Sequence, residues 1–147
     1  MNRIATNVVE RVKIGDSVTD AAQTMRWSDI GFLPVMNSEG FAVGVLTDRD
    51  IVTKVVSEGL DPRVTPVEQI MTTPVHWIYK DAEMRDACRV MAVHGVRRLI
   101  VCDRNHKPTG IISLDDLAMF TNGDNTVGRI LSQIAETEGL PIIDDLE

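Results

Sequence analysis

Two stretches of this chain read almost alike. Gly44-Val45-Leu46-Thr47-Asp48-Arg49-Asp50-Ile51 is answered by Gly110-Ile111-Ile112-Ser113-Leu114-Asp115-Asp116-Leu117, and Asp116 lies 66 positions after Asp50. The same offset holds upstream without a gap: Asp20-Ala21 falls on Asp86-Ala87, Met25 on Met91, Leu33 on Leu99, Val35 on Val101 and Thr6 on Thr72. A period this long, present only twice, is not a solenoid. It predicts two similar half-domains packed face to face about a pseudo-two-fold axis. Such a seam brings equivalent residues near each other and makes paired clefts.

Composition bounds what those halves can be. The 147 residues, 44 % of them apolar, suffice for one compact module with a shared core. Halves of about 60 residues would each be marginal alone. A net charge of −7 argues against a general nucleic-acid binder, which needs a basic face. An anionic ligand must therefore find a local basic pocket. No apolar run reaches the roughly 18 residues of a membrane span, and the first residues lack the apolar stretch of a signal peptide. With only Cys88 and Cys102, reduced thiols and a cytoplasmic location are expected.

Each half reads as β-α-β-β-α, an α+β (mixed α/β) class. A strand is expected within Val8 to Ile14. Ser17 with Asp20 three residues on then starts a helix that runs to about Ser28. Phe32 to Met36 and Phe41 to Leu46 make a hairpin over the Asn37-Ser38-Glu39-Gly40 turn. Thr47 starts the next helix, with Ile51, Val52, Val55 and Val56 on one side. The second copy repeats this order: strands near Val75 to Tyr79, Arg98 to Cys102 and Thr109 to Ile112, a helix from Glu83 to His94, and another from Ser113. Thr65-Pro66-Val67-Glu68 in the connector looks like a helix start with Pro at its first position. Repeat 1 is placed at residues 1–61, repeat 2 at 62–120, and a tail at 121–147. That tail carries a short amphipathic helix with Val127, Ile130, Leu131 and Ile134 on one stripe. Met25, Met84, Met91 and Met119 fit helix cores, and Cys88 sits on an inner helix face. Trp27 and Trp77 suit core or interface packing.

Thr47-x-x-Asp50 and Ser113-x-x-Asp116 sit where a strand turns into a helix. Alone, each is a capping box: the hydroxyl bonds the amide three residues on and the carboxylate bonds back, which needs no ligand. The placement adds a second meaning. A helix start at a strand's C-terminal end is a nucleotide position. A hydroxyl and free amides face an oxyanion there, while a carboxylate accepts two bonds from a ribose cis-diol.

The chain resembles a pair of cystathionine-β-synthase (CBS) domains, a Bateman module, and in particular the small stand-alone bacterial pairs. The resemblance rests on the two Gly-h-h-Thr/Ser-x-x-Asp segments, on Ile70-Met71-Thr72, on the strand at Gly31 to Val35 with its counterpart Arg97 to Val101, and on Gly59-Leu60-Asp61-Pro62. It covers roughly residues 3 to 120. It implies a binding module for adenosine compounds: AMP, ADP or ATP, with S-adenosylmethionine as a lesser candidate. It also implies clefts that draw on both halves. One cleft would comprise Thr47 and Asp50 with Ile70, Met71, Thr72, Val96, Arg97 and Arg98. The other, weaker one would comprise Ser113 and Asp116 with Ile4, Ala5, Thr6, Ile30, Gly31 and Phe32. The arginine pair reaches phosphate in the first; Phe32 cannot do so in the second. Lys54 and Arg63 are further cation candidates.

The expected function is thus a non-catalytic sensor that binds an adenine nucleotide and reports it to an unidentified regulated protein. The alternative is a constitutive dimerisation module with vestigial clefts. No catalytic motif is recognisable, and no metal site is expected, because His76, His94, His106 and the lone Cys102/His106 pair lack structural zinc spacing. A homodimer is expected because Ile51, Val55, Leu117, Ile130 and Ile134 have nothing else in the chain to cover them.

Overall fold

Short polar residues set the starts of the helices. In the computed structural model, which describes residues 6–7, 10–121, 128–129 and 132, Ser17 sits in extended backbone before helix α1 (Val18–Ser28). Its hydroxyl accepts from the Asp20 N–H at 3.1 Å. Val18, Ala21 and Met25 form the buried stripe of α1, each large side chain contributing roughly 1.5–3 kcal/mol by leaving water. The helix ends where Asp29 turns left-handed at φ 53°.

The described chain forms two compact units that cut across the sequence repeats. The first holds residues 10–75 and 106–108. After a two-residue strand β1 (Thr6–Asn7) come β2 (Val12–Lys13), β3 (Phe32–Met36) and β4 (Ala42–Thr47). Strand β3 lies between a parallel β2 and an antiparallel β4. Helix α2 (Asp48–Ile51) leaves β4 and passes into a π-helical turn, Val52–Val56. A 3₁₀ turn follows at Val67–Gln69. Leu33, Val35, Leu46, Val55, Val67 and Ile70 join the α1 stripe in one core.

The second unit holds residues 6–7, 76–105 and 109–121. It contains β5 (Trp77–Tyr79), α3 (Met84–His94), β6 (Arg98–Cys102), all but the first residue of β7 (Pro108–Ser113), and α4 (Leu114–Thr121). Its sheet runs β1-β7-β6-β5. Its core is built on Ile78, Ala87, Met91, Leu99, Ile112 and Leu117. Strand β1 therefore belongs to a sheet made mostly by the other repeat, with Thr6 opposite Ile111. The equivalent residue 66 positions on, Thr72, bridges Val45 in the first unit. Each repeat hands its lead-in segment to the other repeat's hairpin.

The structure corrects several expectations. Val55 and Leu117, expected to lie uncovered, are buried in the cores of their own units. The Val8 to Ile14 strand is described only at Val12–Lys13. Thr65 caps no helix: its hydroxyl turns back to donate to the Asp61 carbonyl at 2.8 Å. Pro66 precedes the 3₁₀ turn rather than opening an α-helix. Met119, expected in a helix core, is 85 % exposed; Trp27 is 87 % exposed, which removes the core half of its core-or-interface expectation. The tail stripe at Val127, Ile130, Leu131 and Ile134, with Ile4 and Ala5, lies outside the described residues.

Candidate functional site

Thr47 ends β4 in extended backbone and caps α2. Its N–H donates to Asp50 Oδ2 at 2.9 Å, and its Oγ1 accepts from the Asp50 N–H at 3.1 Å. The reciprocal pair holds the Asp50 carboxylate against the strand end, where the residue is only 6 % exposed. The lead-in segment brings two more partners. Thr72 is tied to Val45 by backbone bonds of 3.0 and 2.7 Å, and its hydroxyl donates to Asp50 at 3.0 Å from Oδ1 and 3.2 Å from Oδ2. Lys54, one helical turn beyond, places Nζ 2.9 Å from Asp50 Oδ1. The same ammonium donates to the Ile70 carbonyl at 3.0 Å and to Thr72 Oγ1 at 3.4 Å.

Burial pushes the Asp50 carboxyl up, but the hydrogen bonds from Lys54, the Thr47 N–H and Thr72 outweigh it and hold the group below the usual carboxylate range. A carboxylate ionised this firmly is a weak general base at neutral pH. It is well suited to accept hydrogen bonds from a hydroxylated ligand. A Cβ at Gly44 would fall on the Met71 side chain, which would have to shift to admit it. Ile70 is buried in the core and contributes its carbonyl rather than a surface. Met71 packs on that core from its edge.

The second unit repeats the box. Ser113 N–H donates to Asp116 Oδ2 at 2.8 Å, and Ser113 Oγ accepts from the Asp116 N–H at 3.1 Å. The sequence places Phe120 at the position equivalent to Lys54, so the second box has no ammonium at that offset. Of Thr6 only the backbone pairing is described.

In both units the residue before the first hairpin strand, β3 or β6, holds the helix start. The Gly31 carbonyl accepts from the Asp48 N–H at 3.1 Å, and the Arg97 carbonyl from the Leu114 N–H at 2.8 Å. Among the sequence-predicted residues, Thr47, Asp50, Ile70, Met71 and Thr72 thus meet in the first unit, where Ile30, Gly31 and Phe32 also belong. Val96, Arg97 and Arg98 belong to the second unit with Ser113 and Asp116; both arginines are exposed. Arg63 pairs with Asp61 at 3.1 Å on the surface. Sequence reasoning named Lys54 but not its hold on the lead-in segment. The signal was its i,i+4 spacing from Asp50.

The remaining chemistry-bearing side chains lie elsewhere. His76 and His94 stack at 4.4 Å in the second unit. Cys88 and Cys102 are buried and not joined in a disulfide, and burial, with Asp103 nearby, pushes the Cys102 thiol up to about 11. Among the described residues no group of three or more His, Cys, Asp or Glu side chains is set to hold a metal ion. None of the described helices is long and apolar enough to cross a membrane.

Comparison with known proteins places this geometry. The CBS domain family model matches residues 2–57 and 67–123. The CBS domain-containing protein YhcV of Bacillus subtilis (strain 168) is 33 % identical over 130 residues, covering 88 % of this chain and 91 % of that protein. The crystal structure of Hypoxic Response Protein I with two coordinated zinc ions is 34 % identical, with a TM-score of 0.71 over 80 % of this chain and 94 % of that one. That of CBSX2 in complex with AMP is 25 % identical, with a TM-score of 0.65 over 81 % of this chain and 93 % of that one. The match to both repeats, on two mixed α+β units of β-α-β-β-α order, identifies this chain as a member of the CBS domain family carrying a tandem pair of the domains.

Proposed function

We propose that this chain is a non-catalytic regulatory module that binds an adenine nucleotide (AMP, ADP or ATP) and reports it to a regulated protein. The observation that carries the reading is the Asp50 carboxylate, held ionised at a strand-to-helix junction by the Thr47 N–H, the Thr72 hydroxyl and the Lys54 ammonium. A ribose diol is the ligand group that such an acceptor recognises. Phosphate would lie toward Thr47 and Lys54. AMP in the related CBSX2 structure supports the ligand class. S-adenosylmethionine fits less well, because its sulfonium would meet a lysine. The Asp116 box, with Phe120 in place of a lysine, is the weaker site.

Thermal shift and titration calorimetry against AMP, ADP, ATP and S-adenosylmethionine test this. At about a hundredfold over its dissociation constant, a ligand should stabilise the protein by roughly 2.7 kcal/mol. Asp50→Ala should abolish that gain, and Asp116→Ala should leave most of it. If Asp116→Ala removes the shift while Asp50→Ala keeps it, the two sites are assigned the wrong way round.

A second reading has its own observation: Asp50 already receives three of the chain's own donors. That favours a constitutive dimerisation module, and flat titrations would select it. A homodimer belongs to both readings. Its support is the apolar surface of the first unit. Val52 and Val56 are 58 % and 69 % exposed. A groove of about 350 Å³ lined by Val18, Ala22, Ile51, Val55, Val56 and Leu60 opens on the same unit. Sedimentation showing only a 16.3 kDa monomer at micromolar concentration would exclude it.

A further inference from the structure

We propose that Lys54 is an exchangeable internal cation, which a ribose diol must displace from Asp50 and which then pairs with the ligand's own phosphate. The inference rests on the nucleotide-binding reading above and adds a device that selects anionic nucleosides over neutral ones.

Counting acceptors carries it. A carboxylate offers about four lone-pair positions. On Asp50, Oδ2 receives the Thr47 N–H, Oδ1 receives the Lys54 ammonium, and the Thr72 hydroxyl lies within 3.2 Å of both. A cis-diol brings two donors, so at least one resident must leave. The Thr47 amide is fixed by the backbone of the helix start. The Thr72 hydroxyl is a rotor, but leaving Asp50 removes no charge from it. Lys54 is the charged resident that can move: its ammonium ends a flexible stem and its side chain is 43 % exposed.

Releasing Lys54 has a consequence that the neutral donors do not have. The ammonium loses its carboxylate and also its bonds to the Ile70 carbonyl and Thr72. A ligand phosphate replaces that lost partner, whereas adenosine has nothing to offer it. Adenosine therefore works against the lysine and AMP works with it. The second repeat lacks the device, since Phe120 stands at the equivalent position.

The test is calorimetry of AMP and of adenosine with the full chain and with Lys54→Met, which keeps the stem and the helix propensity. Lys54→Met should weaken AMP by about tenfold, the worth of one charge-assisted hydrogen bond, and tighten adenosine several-fold. Lys54→Arg keeps the cation and should restore the preference for AMP; it also serves if the methionine variant does not fold. If Lys54→Met changes both affinities alike, or leaves their ratio untouched, the exchange is wrong while nucleotide binding stands. If the unaltered protein binds neither compound, the nucleotide-binding reading itself falls, and the exchange with it.

Discussion

Asp50 and Asp116 occupy the same place in their repeats and cap the same kind of helix, yet they are not equal. Both accept one strand-end amide, at 2.9 and 2.8 Å. Asp50 also takes the Thr72 hydroxyl and the Lys54 ammonium, and the position equivalent to Lys54 is Phe120 in the second repeat. Losing a cap costs about 1 kcal/mol, and each further charge-assisted bond adds about 1 kcal/mol when its partner is stranded. Asp50→Ala should therefore lower ligand-free stability by about 2–3 kcal/mol, and Asp116→Ala by about 1 kcal/mol. Urea unfolding of both variants checks the order; equal losses would mean that Thr72 and Lys54 contribute nothing. The pH dependence follows from the same contacts. The folded carboxyl is held below its ordinary value of 3.8, so its stabilisation is complete above that value and fades as pH falls through the lower folded one. The stability gap between the unaltered protein and Asp50→Asn should be constant from neutral pH to about pH 5 and shrink below pH 4. A gap that persists undiminished at pH 3 would contradict the ionised state. The capping boxes were legible in the sequence because they are local. Thr72 was legible as a site residue only through the family pattern, because 22 residues separate it from the carboxylate it bonds.

The repeat also makes a controlled comparison of its helices. Helices α1 and α3 both end in a left-handed residue, and the offset aligns these residues: Asp29 at φ 53° and Gly95 at φ 64°. A Cβ in that conformation costs roughly 1 kcal/mol, and glycine avoids it. Asp29→Gly should then stabilise the protein by about 0.5–1 kcal/mol, and Gly95→Asp should destabilise it by a similar amount. Opposite shifts in urea midpoint are the expected result; shifts of the same sign would show that something other than the cap decides. Elements of this kind were readable from single residues. Ser17 with Asp20 started α1, and the Asn37-Gly40 turn joined β3 to β4, as periodicity and turn chemistry require. What escaped were features decided by packing. The π-helical turn at Val52–Val56 carries no sequence signature against an ordinary helix. Thr65 has the composition of a helix cap, but the loop satisfies it through the Asp61 carbonyl instead.

At the scale of the whole chain, the sequence repeat and the compact unit are different objects. Residues 62–75 follow the first repeat in sequence, yet they complete the first unit. The connector is laced to the start of α1: Thr19 N–H donates to the Pro62 carbonyl at 3.0 Å, Val18 N–H to Thr65 at 2.9 Å, and Val67 N–H to Asp16 at 2.9 Å. Val67 and Ile70 are buried to 0 and 3 % exposure in the same core as Leu33 and Leu46. Their burial is worth roughly 1.5–3 kcal/mol apiece, a large share of the stability of a domain this small. A fragment of residues 1–61 should therefore unfold without cooperativity, because it lacks those two side chains, the Thr72 bond to Asp50 and the strand contact at Val45. A fragment of residues 8–75 retains them all. It loses only the 106–108 segment, where Lys107 lies 4.0 Å over the Phe41 ring and bonds the Glu39 carbonyl. It should show a cooperative urea transition at reduced midpoint, since about 68 residues bury a modest core. The longer fragment adds 14 residues of mostly connector and loses seven at the other end, so length alone does not predict the contrast. Circular dichroism of both fragments across a urea series decides the matter. If 1–61 unfolds as sharply as 8–75, the connector is a linker, and the repeat boundary is also the folding boundary.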